Sequence, residues 1–480
     1  MTNYLYRFRG SVLGKFQELE KQEIFCSALE TLNDPMEGFK DLFWHGDRIV
    51  WTNLLKHYLL CLDRACILFM LNGDGVRIEP ASIPVFEIES DLPTQEYKDV
   101  FKQACDTFFG DPTVLQFIDG LASRTRPVRR DELCVHLRMA HFTALSAIFS
   151  AYRNRANIPD TPGGSRLLDM CAALPIKPET TKLINEMEAQ HPGITDGTER
   201  LFAAVRSAQQ QGDLIAKYNA RTTAAVLDCN RALILNEFPG EYVRLIEKVV
   251  YGQWYTACFS ASHANSSMWG NYANGHRGVC LKFSTGDEPG SHVLTLYGVT
   301  GSRSSRLGES EPTYGHVKHR LHRITYQRTY PEIDFFRSLG RLRGLAVSWW
   351  YSDGRGNRSS CAQDVYGDEA EWRKRYWATF LAGQTVKLED WRYEDEYRLV
   401  ISELVSDLSD PARRKLKYNF FDLYGIIFGI ATPEADKLAI IEIIRRKCEE
   451  EKRKEFEFCQ AYYDNASGRI EALPLRLIKL

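Results

Sequence analysis

CFSASHANSSMWGNYANGHRGVCLKF, residues 258–283, is the stretch on which the fold turns. WYTACFSAS leads into it from residue 254 and GVCLKF closes it, and both are short, β-prone and apolar, as strands are. The intervening residues predict a short helix. Ser260 and Ser262, two apart, fall on one face of a strand, while Trp269, Tyr272 and His276, at steps of three and four, fall on one helical face. Two flat rings and an imidazole together make a wall for a planar ligand. The competing reading of aromatics at that spacing is ordinary core, with His276 capping a helix end.

Working outward, YLYRFR (4–9) and EIFCSAL (23–29) read as strands flanking the helical composition of FQELEKQE. NDPMEG (33–38) ends the second strand, since Asn and Asp supply turn hydrogen bonds and Pro35 restricts the residue before it. RITYQR, EYRLVIS and YGIIFGIA add strands, the last apolar enough to be covered on both faces. A helix then starts at TPEAD, with Thr432 as N-cap and Pro433 in its first turn. The sheet is thus assembled from both chain ends. The fold class expected is α+β: a mixed, mostly antiparallel sheet with a large helical insertion.

The insertion is placed at 51–249, where Leu133, Leu137, His141, Leu145, Ile148 and Tyr152 recur at helical steps, leaving 1–50 and 250–480 as a discontinuous core. IPDTPGG (158–164) divides the insertion into two bundles, and the Gly/Ser/Thr-rich stretch 284–315 reads as a long surface loop.

Composition narrows the functional classes. With 61 basic against 63 acidic side chains there is no global field to gather nucleic acid or an anionic membrane, so any such partner must meet a local patch. MTNYLYRFRG lacks the order of a secretion signal, and the most apolar run, LLKHYLLCLDRACILFML, is broken by Asp63 and Arg64. A cytoplasmic protein without a membrane partner is expected. The 12 cysteines form no CxxC pair and read as small buried hydrophobes in a reducing compartment, with no metal cluster.

Two further constellations carry chemistry. In KLEDWRYEDEYRLVI (387–401), Glu394, Glu396 and Arg398 alternate and so share one face of a strand. Paired carboxylates repel unless one is protonated, matched by a cation or put to use; Arg398 supplies a cation, and an exposed, ion-paired edge strand is the plain alternative. Arg7 and Arg9 alternate in YLYRFR, and a buried arginine there needs a structural carboxylate or a substrate phosphate. Asn33, Asp34 and Glu37 join the candidate site from the NDPMEG turn. His316, His319 and His322 do not share a face well enough for a metal triad, and the neighbouring Lys318, Arg320, Arg323 and Arg328 form a basic run that could meet phosphates, the plain alternative being a solvated face.

The order YLYRFRG, SALETLNDPMEG, CFSASHANSSMWGNYANGHRGVCLKF, WRYEDEYRLVI and YGIIFGI resembles the bacterial family known as domain of unknown function 2971. A looser resemblance is to ADP-ribosyltransferases of the arginine–serine–glutamate type, with Arg7 or Arg9, Ser260-Ala261-Ser262 and Glu394-Asp395-Glu396 in the family's order. That resemblance implies NAD as substrate and a macromolecular acceptor, protein or nucleic acid. Glu396 would steady the oxocarbenium-like state and Glu394 would orient the acceptor. An arginine would grip a phosphate, the serines would brace the pocket, and Trp269 or Tyr272 would stack on nicotinamide. By analogy such a protein is a bacterial stress or phage-defence effector. The other readings are a non-catalytic ligand- or partner-binding sensor and, last, a nucleic-acid hydrolase.

Overall fold

The computed structural model of the chain describes residues 3–14, 17–72, 76–154, 176–190, 195–222, 229–286, 291–304, 310–402 and 407–478. It is an α+β protein divided into two compact units. One unit comprises 1–39, 252–331 and 380–480, and the other 40–251 with 332–379. Residues 40–50 and 332–379, assigned to the α+β core on sequence, therefore belong with the helical unit. The proline- and glycine-rich divider at 158–164 lies outside the described residues.

In chain order the first segment supplies β1 (Tyr4–Arg9), β2 (Glu23–Phe25) and β3 (Ser27–Ala28). β4 (Asp41–Trp44) and β5 (Val128–Arg129) lie in the helical unit. The first unit continues with β6 (Trp254–Ser260), β7 (Val279–Ser284), β8 (Val293–Ser304), β9 (Ser310–Arg323) and β10 (Thr325–Gln327). After β11 (Glu332–Asp334) in the helical unit, it resumes with β12 (Val386–Leu388), β13 (Glu396–Ser402) and β14 (Lys415–Tyr418). β15 (Leu423–Phe428), β16 (Glu457–Asp464) and β17 (Arg469–Pro474) complete it.

Twelve of these strands form one sheet in the order β17-β16-β15-β7-β1-β6-β13-β9-β8-β14-β2, with β3 pairing back onto β6. Only Cys26 separates β2 from β3, so the sheet curls until its far edge is stitched to its middle. Ile24, Cys26, Ala257, Phe259, Leu294 and Leu296 belong to the core packed by that curl. The pairings are antiparallel except for β15 with β16, as the alternation of half-buried strands favours. A close approach of backbones locks the centre of the sheet: a Cβ on Gly278 would sit 2.1 Å from the Arg9 carbonyl oxygen.

Two local expectations are corrected. Most of the loop read at 284–315 is the hairpin β8–β9, paired from Val293↔Arg320 to Ser304↔Ser310. Its apolar signal is carried by so few residues, Leu294 and Leu296 on β8 and Leu321 on β9, that the polar outer face dominates the pattern. The helix after β15 is Glu434–Glu450 and its N-cap is Pro433. Thr432 instead donates its hydroxyl to the Gly278 carbonyl at 2.7 Å, tying the helix start to β7.

The second unit holds the long helices Arg48–Asn72, Gln95–Gly110 and Arg130–Asn154, with a three-stranded sheet β11-β4-β5. Leu133, Leu137, His141, Leu145 and Ile148 are all buried, as their helical spacing predicts. Among the described residues one helix, Arg130–Arg153, is long and apolar enough to cross a membrane, and 56% of that window is buried in the fold. None of the ten cysteines whose side chains are described is in a disulfide.

Candidate functional site

The strand order places the three sequence motifs side by side. β1, β6 and β13 are neighbours, and Tyr6, Ser260 and Glu396 stand in one row across them. β1 and β6 pair at that position only, and a cleft lined by residues of both strands opens there, with a volume of about 150 Å³. Arg7, Arg9, Ser260, Tyr272, Glu394 and Glu396 all line it, as do Asn33 and Glu37 from the turn before β4.

The acidic wall is a buried ion cluster. Glu394 ends a 3-10 helix, Glu389–Glu394, and Asp395 turns through φ 42° before the strand begins at Glu396. Glu394 is thus not on the strand with Glu396 and Arg398 as the alternation predicts; the left-handed turn swings it round to the same cluster. Lys387, on β12, binds both acids, at 2.6 Å from Glu394 Oε2 and 3.4 Å from Glu396 Oε2. Arg398 grips Glu396 through Nε at 2.7 Å and Nη2 at 3.2 Å, donates Nη1 to the Gln384 carbonyl at 2.8 Å, and pairs with Glu37. Three carboxylates (Glu37, Glu394, Glu396) therefore face two cations, leaving one net negative charge among side chains no more than 4% exposed.

That imbalance splits the acids. Burial raises Glu394, and the charge of Glu396 adds to the effect against the opposition of Lys387. Burial works the same way on Glu396, but Arg398 and Lys387 overcome it and hold this carboxyl down to about 2. Glu37 is raised by burial. Tyr272 donates its hydroxyl to Glu394 Oε1 at 2.5 Å and accepts from Asn33 Nδ2 at 2.6 Å; burial and Glu394 keep the phenol protonated. Two neighbouring carboxyls pushed in opposite directions have the form of a proton acceptor and a permanent anion.

The basic side of the cleft is different in kind. Arg9 is spent on Glu18, which accepts from its Nε at 2.5 Å. Arg7 is 6% exposed, donates to the Phe25 carbonyl at 3.3 Å and lies over the Phe259 ring. Among the described residues no carboxylate is within ion-pair distance of it. A buried guanidinium without an anion is costly, and it marks a place for one.

Several predicted members stand elsewhere. Trp269 is fully buried, edge-on to Phe8, with its indole N–H on the His263 carbonyl at 2.8 Å, so it is core and no wall of the cleft. His276 lies beyond the helix Ser266–Tyr272 at φ 68°, stacked on Trp269, because the chain turns sharply through Asn274 and Gly275. Ser262 is past the end of β6 and accepts from Ala264 N at 3.1 Å, bracing the turn; Ser260 donates to the Glu394 carbonyl at 2.8 Å and so holds the acid-bearing turn. Asp34 is buried and accepts from Met36 N at 2.9 Å within its turn. His316 and His322 share one face of β9 and His319 the other. Among the described residues no group of His, Cys, Asp and Glu is placed to hold a metal ion.

Lys387 is the cleft residue that the sequence pattern did not bring forward. A charge count signals it, because three carboxylates drawn to one arginine require a second cation. No family model, curated protein or solved structure matches the chain.

Proposed function

We propose that this cleft binds the reactive end of NAD and that the protein is an ADP-ribosyltransferase-like enzyme, transferring ADP-ribose to a macromolecule or to water. The observation that carries the reading is the row Tyr6, Ser260, Glu396 across three adjacent strands with a net-negative acid cluster at its β13 end, while unpaired Arg7, which alternates to the other face of β1, lines the same cleft. Cleavage breaks the bond between nicotinamide nitrogen and ribose carbon, and the pyridine leaves with the electron pair. The carbon becomes cationic until an acceptor oxygen or nitrogen bonds to it and gives up a proton. A carboxylate held ionised by two cations stabilises that charge without needing to be deprotonated first. Glu394, whose affinity for protons is raised, takes the acceptor's proton in this reading. Arg7 suits a phosphate.

The cleft volume of about 150 Å³ suits one aromatic ring, so the nicotinamide end enters and the rest of the dinucleotide lies in the open mouth. One observation favours the alternative, a binding module: both oxygens of Glu396 already have partners. Incubation of purified protein with NAD, with and without lysate, separates the two. Nicotinamide release that is lost in Glu396→Gln, with a raised KM in Arg7→Met, is expected. Intact NAD and no labelled acceptor would leave the binding reading.

A further inference from the structure

The hairpin β8–β9 presents a face that the cleft does not use. Because paired residues on neighbouring strands point the same way, Arg398↔His322 places His322, Arg320, Lys318, His316 and Tyr314 on the sheet face that carries Glu396 and Arg398. The opposite face of the hairpin is core, through Leu294, Leu296 and Leu321. On the outward face Tyr297 and Tyr314 are 39% and 54% exposed, with ring centroids 6.2 Å apart and planes 20° from parallel, and His316 lies 5.1 Å from Tyr297. Lys318 and Arg320 follow, both exposed. Nearer the cleft, Arg323 and Arg328 are paired with Asp395 and Glu389, whereas Lys318 and Arg320 have no ion-pair partner among the described residues.

Exposed, near-parallel rings on a twisted ribbon are poor for solubility and offer flat platforms, and unpaired cations spaced along the same strand suit a chain of phosphates. From this we infer that the outer face of β8–β9 is a docking strip for single-stranded nucleic acid. Bases stack on Tyr297 and Tyr314 while the backbone runs over Lys318 and Arg320 towards His322. Charge complementarity decides the occupant: the chain as a whole is close to neutral, with a formal charge of −2, so this local combination and no general field draws a polyanion. A duplex hides its base faces and cannot use the tyrosines. The strip stands on its own geometry; if the cleft cleaves NAD, the bound strand is also its acceptor.

The test is fluorescence anisotropy of the full chain without NAD, against labelled 12-nucleotide single-stranded RNA, the same sequence as DNA, and a duplex. Binding of one or both single strands over the duplex is expected. Tyr297→Ala and Tyr314→Ala should each weaken it at least about fivefold, since a base–aromatic stack contributes roughly 1–3 kcal/mol. The double change Lys318→Gln, Arg320→Gln should flatten the slope of log affinity against log salt by about 1.4, or about 0.7 for each phosphate contact. Both tyrosines are exposed, so matching unfolding curves will exclude damage to the fold. No binding at low salt, equal binding of the duplex, or tyrosine variants as tight as wild type would each overturn the inference. Because NAD is absent, none of these results depends on whether the cleft is catalytic.

Discussion

Replacing Lys387 with methionine is the sharpest perturbation of the buried cluster, because it keeps the volume of the stem and removes one of two cations facing three carboxylates. Lys387 is 4% exposed at its side chain, so water does little to screen its bonds to Glu394 and Glu396 at 2.6 and 3.4 Å. Hydrogen bonds to charged groups contribute about 1.5–3 kcal/mol each, and breaking a buried ion pair from one side costs about 3–5 kcal/mol. A loss of roughly 3–5 kcal/mol is therefore expected in the urea unfolding transition, followed by circular dichroism. The sign of the pH dependence follows. Burial already raises Glu394, and without Lys387 it rises further, so its folded form holds a proton more tightly than its unfolded form. Stability of the variant should then fall relative to wild type as pH rises from about 5 to 8, by linkage. Adding Glu394→Gln restores the original balance of one net negative charge and should recover most of the loss. A loss under about 1 kcal/mol, or a variant whose pH profile parallels wild type, would refute the reasoning from charge count.

Two further outcomes are expected. Holding Glu396 from 4.5 down to about 2 contributes roughly 3 kcal/mol that is present above pH 4.5 and is lost as pH falls towards 2; Glu396→Gln should lack this limb, and identical acid-unfolding slopes would exclude it. Trp269→Ala should destabilise by about 3–5 kcal/mol as a core cavity, whereas Tyr272→Phe, which removes the hydroxyl bridging Asn33 and Glu394, should cost about 1.5–3 kcal/mol; thermal unfolding of both variants tests the division between core and cleft.

Strands with strong apolar alternation were legible in the sequence because burial writes itself directly into the pattern. β1, β6, β7, β13 and β15 all fall on segments read as strands, and the helix Arg130–Asn154 on its predicted apolar stripe. The β8–β9 hairpin was opaque for the converse reason, since only one of its faces is buried and the other is polar and basic. In the cleft, Arg7, Ser260 and Glu396 were visible as residue types, yet their adjacency depends on the order β1-β6-β13, which no local pattern encodes. The separation of Trp269 from Tyr272 was equally hidden. Two helical positions three apart look alike in sequence, and only the T-shaped contact of Trp269 with Phe8 shows which one faces the core.

The cluster also explains why the chain tolerates so polar a seam beside its core. Glu396 and Arg398 occupy one face of β13, while Leu399 between its neighbours packs with Leu321 on the other, so a single strand separates an ion network from the hydrophobic interior. Removing water from five ionisable groups costs more than surface pairs return, and such a network adds little net stability over an apolar replacement. Its position where β1, β6 and β13 align, in a cleft that also holds an arginine without an anion, leaves two accounts, a structural network and one whose charges act on something that enters the cleft. A purely structural network predicts that an apolar replacement of Glu37, Glu394, Glu396, Lys387 and Arg398 together would leave ligand binding and turnover untouched. A functional one predicts a protein of equal or greater stability that has lost both.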